Sequence, residues 1–475
     1  MKHLSSNTKL LIFVITLSIV AGLGVVMLTN NLNQNIEASN LAYALMVVLL
    51  FLGIIPPIWR YWHRKDLFEP LVIYPVIYSV VFSAPVLYEV YQQFSGKALS
   101  IPLLQREHLG EMEFMALLGL IGLYAGLFRF RSKVSALRMV PLGSPDRLII
   151  LRVAMGLALL LQLLGIANYG ASNWFFGIYG QGQFEYGVAY YLLLASQLLA
   201  YPAYLSYLCI RLSQRCYDIW MFLFPLIFAG LFFWQGGRGQ ALYFLLSSLV
   251  VVNYTRRRLK FQNIILLIIV VITLFVGSIL SRQRTFDLSL LPNSFWDTIG
   301  ILLGEISWAG NLTTAVIALG REVIPLQYGI TYIGSIVNLI PGFVFGTNWA
   351  RLIPPPSLLF HRAYAPSVTD QGFGFSILAE AYINWGIFGA FPVMFVIGSL
   401  LGYVHKRIAT GSYSAIVMYA IIVYQSLWYL RSDSLAFIKS VFYSAIVLIF
   451  VEFVHRLGTR HIMVGKRHSN LLAKA

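Results

Sequence analysis

The sequence predicts an all-α polytopic membrane protein: about twelve transmembrane helices, both termini cytoplasmic, and one large outer loop. Three observations carry this. Of 475 residues, 59% are apolar and only 11% charged, whereas soluble domains are about a quarter charged. Apolar runs of about 20 residues, the length that spans a bilayer, recur along the chain. Basic residues gather in alternate connecting segments, as the positive-inside rule requires. Residues 1–475 are read as a single integral membrane domain.

The first apolar run, Leu10 to Thr29, is too long for a cleavable signal and lacks a small-residue cleavage site, so it reads as a retained anchor. Further spans are expected near 41–59, 70–91, 113–129, 148–168, 188–209, 217–235, 241–255, 262–281, 386–404, 413–430 and 436–454. With the N-terminus inside, 24 of the 34 Lys and Arg residues fall on the cytoplasmic side and 10 on the outer side. WRYWHRK (59–65), RFRSKVSALR (129–138), RRRLK (256–260) and HKR (405–407) are the cytoplasmic clusters. The net charge of +16 is thereby explained by topology, and nucleic-acid binding has no support. Cys209 and Cys216 lie at a cytoplasmic turn and read as idle thiols.

The segment 297–316 is also apolar, but counting it as a span would turn the HKR cluster and the basic tail outward. Residues 282–385 are therefore read as one outer loop. Within it, Asp297, Gly300, Gly304, Ser307, Asn311 and Thr314 recur at steps of three and four. That stripe suits either an interfacial or re-entrant helix over a wet cavity or a packing face of small residues. The Pro-rich middle, NWARLIPPPSLLFHRAYAPSVTDQGFG, reads as a lid or substrate wall.

The outer side carries few ionisable groups. Arg238 sits among glycines in WQGGRGQ, placed either to fork onto phosphate oxygens or to reach lipid headgroups. Arg282 and Arg284 in SRQRTFD share a face in an extended turn and could clamp a diphosphate or meet lipid phosphates. Arg431 in LRSDS has Asp433 beside it as a local partner. Arg351, His361, Arg362 and Asp370 lie in the large loop. In GFGFSILAEAYINWGIFG (372–389), Ser376, Glu380 and Asn384 stack on one helical face, where the carboxylate is either catalytic or a satisfied structural group. Metal-ligand spacings, a Walker motif and a nucleophile elbow are missing, so no metal or cofactor is expected. Arginines plus a base at an outer membrane boundary suit transfer from a lipid diphosphate. The arginines would stabilise the leaving diphosphate, and a carboxylate or histidine would take the acceptor's proton. A transporter is the reading from another class, but repeated halves and interrupted midplane helices are not seen.

Over about residues 230–440 the chain resembles the Wzy-type O-antigen and exopolysaccharide repeat-unit polymerases. GGRGQ (236–240), RQR (282–284), the large loop, GFGFSILAEAYINWGIFGA (372–390) and LRSDS (430–434) carry the resemblance. It implies a glycosyltransferase of the bacterial inner membrane, its site facing the periplasm, that joins undecaprenyl-diphosphate-linked repeat units. It also implies a flippase and a chain-length regulator as partners. Arg238, Arg282, Arg284 and Arg431 would then hold diphosphate, Arg351 and Arg362 would contact glycan or diphosphate, and Glu380 would be the base or position the acceptor, with Ser376, Tyr382 and Asn384 nearby. The O-antigen ligases, which use a loop histidine, are the alternative that His361 keeps open.

Overall fold

The computed structural model describes residues 38–95, 105–130, 145–176, 187–234, 238–256, 258–260, 262, 294–340, 353–366 and 374–472. These residues hold helices and connections, with no strand among them. In order come α1 (Ala38–Arg64), α2 (Pro70–Ser95), α3 (Leu109–Arg129), α4 (Pro145–Tyr169), α5 (Ala171–Phe176), α6 (Val188–Ser213), α7 (Trp220–Trp234) and α8 (Arg238–Thr255). Residues 294–385 supply α9 (Phe295–Ile306), α10 (Trp308–Val323), α11 (Ile330–Val337), α12 (Pro356–Tyr364) and α13 (Ile377–Trp385). Three long helices close the chain: α14 (Ala390–Ile408), α15 (Tyr413–Tyr429) and α16 (Ser434–Leu472).

Among the described residues, seven helices are long and apolar enough to cross a membrane: Leu41–Arg64, Pro70–Ser95, Arg106–Arg129, Asp146–Tyr169, Val188–Ser213, Ile387–Ile408 and Ser434–Val454. The bent pair α9–α10, broken by 48°, makes an eighth if it is one span. The expected spans 10–29 and 262–281 lie outside the described residues. The expected spans 217–235, 241–255 and 413–430 coincide with α7, α8 and α15. Of these, α7 and α15 have 15 and 17 residues and the apolar part of α8 is Ala241–Thr255. About 20 residues are needed to bridge the hydrocarbon, so length does not confirm these three helices as crossings.

Small residues bring α3 and α14 together. A Cβ at Gly122 or Gly126 would collide with the backbone of Phe391 or Phe395, and one at Gly398 with the Leu123 carbonyl. Helices in lipid gain little from hydrophobic contact with each other, so close backbone approach is what holds such a pair. This contact fixes α14, and with it α13, which precedes α14 across the turn Ile387–Gly389. On the other side, Tyr201 stacks on Tyr243 at 3.6 Å and Tyr424 meets Tyr243 edge-on at 4.4 Å, joining α6, α8 and α15.

The small-and-polar stripe of α9 and α10 is a packing face. A Cβ at Gly300 would collide with Tyr91, Gly304 faces Tyr88, and a Cβ at Gly310 would collide with Pro85, all on α2. Ser307, Asn311 and Thr314 are buried. The Ser294 hydroxyl caps α9, accepting from Asp297 N at 3.1 Å. The stripe thus packs on α2, and the bend of 48° between α9 and α10 is that of a broken span or a re-entrant pair.

Candidate functional site

Helix α13 is buried along most of its length, its N-cap Ser376 and its C-cap Gly386 (φ +69°) marking the ends. Ser376, Glu380 and Asn384 lie on one face, as their spacing requires, and all three are fully buried. Ser376 Oγ is 3.0 Å from Thr313 Oγ1 and so ties α13 to α10. Asn384 donates to Thr331 Oγ1 at 2.7 Å and to the Glu380 carbonyl at 2.8 Å, and its Oδ1 accepts from Gly329 N at 2.8 Å.

Glu380 is the centre of this face. Thr331 Oγ1 donates to its Oε1 at 2.9 Å, and the Ser434 hydroxyl donates to the same oxygen. Tyr429 OH and Ser434 N donate to Oε2 at 3.1 and 2.8 Å. Burial pushes the carboxyl up to about 7, the charge of Asp433 adds to the rise, and the hydrogen bonds from Ser434 and Thr331 hold it back. Hydroxyls rather than an arginine satisfy it, and both oxygens are enclosed.

The turn that follows α15 gathers segments of α9, α11, α12 and α13. Ser434 grips Glu380 of α13 and meets Ser335 of α11 at 2.7 Å. Asp433 accepts from Ser357 of α12 at 2.6 Å and from Ala436 N at 3.2 Å. Burial raises the Asp433 carboxyl, against the pull of the Ser357 hydroxyl and backbone N–H groups. Arg431 reaches Glu305 of α9, at 3.3 Å, instead of relying on Asp433. Their side chains are 35% and 25% exposed, so this guanidinium borders the surface. Four helices distant in sequence thus converge on the residues 431–434.

The remaining candidates fall around this turn or outside the described residues. Phe360 of α12 packs on Phe375 and Tyr364, with Arg362 exposed and His361 half-buried on the same helix. Arg238 opens α8, and its neighbour Gly239 packs on the Trp428 ring and accepts through its carbonyl from Tyr424 OH. Gly239, at the start of α8, therefore abuts Trp428 in the last turn of α15, three residues before Arg431. Tyr382 is half-buried on the outer side of α13, its hydroxyl raised by burial and by Glu111 and lowered by Arg321. Arg282, Arg284, Arg351 and Asp370 lie outside the described residues. Among the described residues no group of three His, Cys, Asp or Glu side chains could hold a metal ion. The cavity of about 680 Å³ lined by Arg147, Tyr413 and Glu452 lies at the opposite end of α14 and α15.

Sequence reasoning missed Thr331, Ser335, Tyr429 and Ser434. Their one signal was spacing: Thr331 and Ser335 are four apart on one helical face, and Ser434 lies within LRSDS. Uncharged hydroxyls in an apolar chain carry no other mark.

The family model for the O-antigen polysaccharide polymerase Wzy matches residues 10–459. No curated protein and no solved structure matches the chain.

Proposed function

The chain belongs to the O-antigen polysaccharide polymerase Wzy family, and from that premise we propose that it polymerises repeat units carried on undecaprenyl diphosphate, at the periplasmic face. The observation that carries the reading is the convergence on the residues 431–434. Arg431 at the surface, the start of α8 packed at Gly239 on Trp428 of α15, and α12 tied through Ser357 to Asp433 all meet there.

In this reading the guanidinium groups of Arg238, Arg431 and the 282/284 pair bind the diphosphate that leaves, with Arg351 and Arg362 at its rim. Charge builds on the leaving oxygen as the glycosidic bond breaks, and fixed cations there lower the barrier. The acceptor hydroxyl gives up its proton as the new bond forms. His361 is better placed than Glu380 to receive it, since the carboxyl oxygens of Glu380 are enclosed by four donors. Glu380 is then a positioning residue that clamps α11 and α13 to the turn. A donor already activated by diphosphate needs no metal for this chemistry.

The test supplies lipid-linked repeat units to the protein in nanodiscs and resolves the products as a ladder. Arg431→Ala and Arg238→Ala are each expected to slow elongation about 100-fold, with folding intact. Normal ladders from both would defeat the assignment. Ladders formed only on added lipid A–core would turn the reading to the ligase that the half-buried loop histidine also fits.

A further inference from the structure

Two successive residues leave the right-handed backbone region at the entrance to α11: Tyr328 at φ +46° and Gly329 at φ +89°. Glycine adopts such angles freely, whereas a bulky side chain there is an outlier of the kind that marks functional turns. The C-terminal end of α13 holds the turn. Gln327 N donates to Ile383 O at 2.9 Å, Tyr328 N to Asn384 O at 3.1 Å, and Gly329 N to Asn384 Oδ1 at 2.8 Å. Asn384 is fixed in turn by Thr331 and the Glu380 carbonyl. Yet the tyrosine displayed by all this is 75% exposed, so its strain serves no packing.

Its neighbours are of a kind. A Cβ at Gly329 would lie 3.3 Å from the ring of Trp385. Trp385 is 40% exposed and stacks on Tyr332 at 5.3 Å and 15°. The exposed Arg321 lies over Gly386, its Nη2 3.1 Å from where a Cβ would stand. A Trp385 ring stacked on Tyr332, a Tyr328 held by its backbone, and the Arg321 guanidinium thus gather at the end of α13.

We propose that Tyr328 and Trp385 form a stacking platform for a pyranose ring of the growing glycan, with Arg321 binding its hydroxyl or carboxylate groups at the edge. A sugar presents C–H groups on its faces and polar groups around its rim, which matches flat apolar rings bordered by a forked donor. A stacked Trp385 ring and a fixed Tyr328 backbone leave less entropy to lose on binding. Along α11, Ile330, Ile333 and Ile336 are exposed in an apolar stripe, while Arg321 and Glu322 are exposed on the polar side. The platform lies between them, at the kind of margin a lipid-linked sugar straddles. An ordinary interfacial tyrosine needs neither a left-handed backbone nor a buried amide to hold it. The inference rests on a glycan being the substrate.

The experiment measures binding of the host's own repeat-unit oligosaccharide, released from its lipid by mild acid and fluorescently tagged, to the protein in nanodiscs. Tyr328→Gly suits the left-handed backbone while removing the ring. It is expected to weaken binding about ten-fold or more while keeping or raising the thermal midpoint. Trp385→Ala is expected to do the same to binding, and Trp385→Phe to restore most of it. Unchanged binding in Tyr328→Gly would overturn the platform, and quenching of Trp385 by brominated lipids in that case would make these rings a membrane belt. A wild-type protein that elongates lipid-linked units but binds no free oligosaccharide would also overturn it, leaving the polymerase reading intact. Binding without elongation would fail the polymerase reading instead.

Discussion

Two buried polar clusters, at opposite ends of the bundle, are built on different chemistry. Around Glu380 the partners are neutral: Thr331, Tyr429, and the hydroxyl and N–H of Ser434. At the other end, between α1 and α2, charges answer charges. Arg60 donates to Glu69 at 2.9 Å, and Arg258 approaches Asp66 at 3.9 Å. Asn253 and Tyr254 also donate to Asp66, and Tyr254 OH lies 3.0 Å from His405 Nε2. The charged cluster joins the α1–α2 turn to the ends of α8 and α14, from Asp66 to Asn253 and from Tyr254 to His405. The neutral cluster ties α11 and α13 to the turn that follows α15.

The difference has a chemical consequence. A hydroxyl can turn from donor to acceptor, so three of the four partners of Glu380 can serve either protonation state. The Arg60–Glu69 pair has no such freedom, since a guanidinium only donates. The Glu380 cluster can therefore change charge without coming apart, while the Arg60–Glu69 cluster is a fixed fastening.

The strongest way to break this comparison is Glu380→Ala. It strands several buried donors at once, which is expected to cost about 3–5 kcal/mol and to abolish ladder formation, read by thermal midpoint and the elongation assay together. Glu380→Gln keeps hydrogen bonding and is expected to retain most of both. A glutamine variant with a normal midpoint but no elongation would instead assign the carboxyl a direct chemical role.

Arg60→Met is the matching test at the other end. It leaves Glu69 buried without its cation, at a cost of about 3–5 kcal/mol. The elongation rate per folded molecule is expected to stay unchanged, and a selective loss of rate would erase the functional distinction between the two clusters.

The pH dependence follows next. The folded Glu380 carboxyl titrates at about 7, above its ordinary 4.5, so the folded state holds a proton that the unfolded state has released. Its contribution to stability is complete below pH 4.5 and is lost as pH rises through about 7, an effect of about 3 kcal/mol. Thermal midpoints of the wild type are expected to fall over that window relative to Glu380→Gln, and parallel curves would contradict the sign. The smallest effect belongs to Ser357→Ala, which frees α12 from Asp433. It is expected to cost about 1 kcal/mol and to speed proteolysis of the 353–366 segment, with α13 still protected.

The sequence by itself determined the class, the membrane helices and the stacked face of α13, because hydropathy and helical spacing are local properties written into adjacent residues. It also singled out LRSDS and Arg431. It did not reveal that Arg431 would pair with Glu305, 126 residues away, or that Glu380 would be satisfied by Thr331, Tyr429 and Ser434. The left-handed display of Tyr328 depends equally on Asn384, 56 positions on. Those choices were made only by the packing of α9 to α13 on the end of α15. A hydroxyl has no periodicity to betray it, and a hydrogen bond across such distances exists only once the helices are in place.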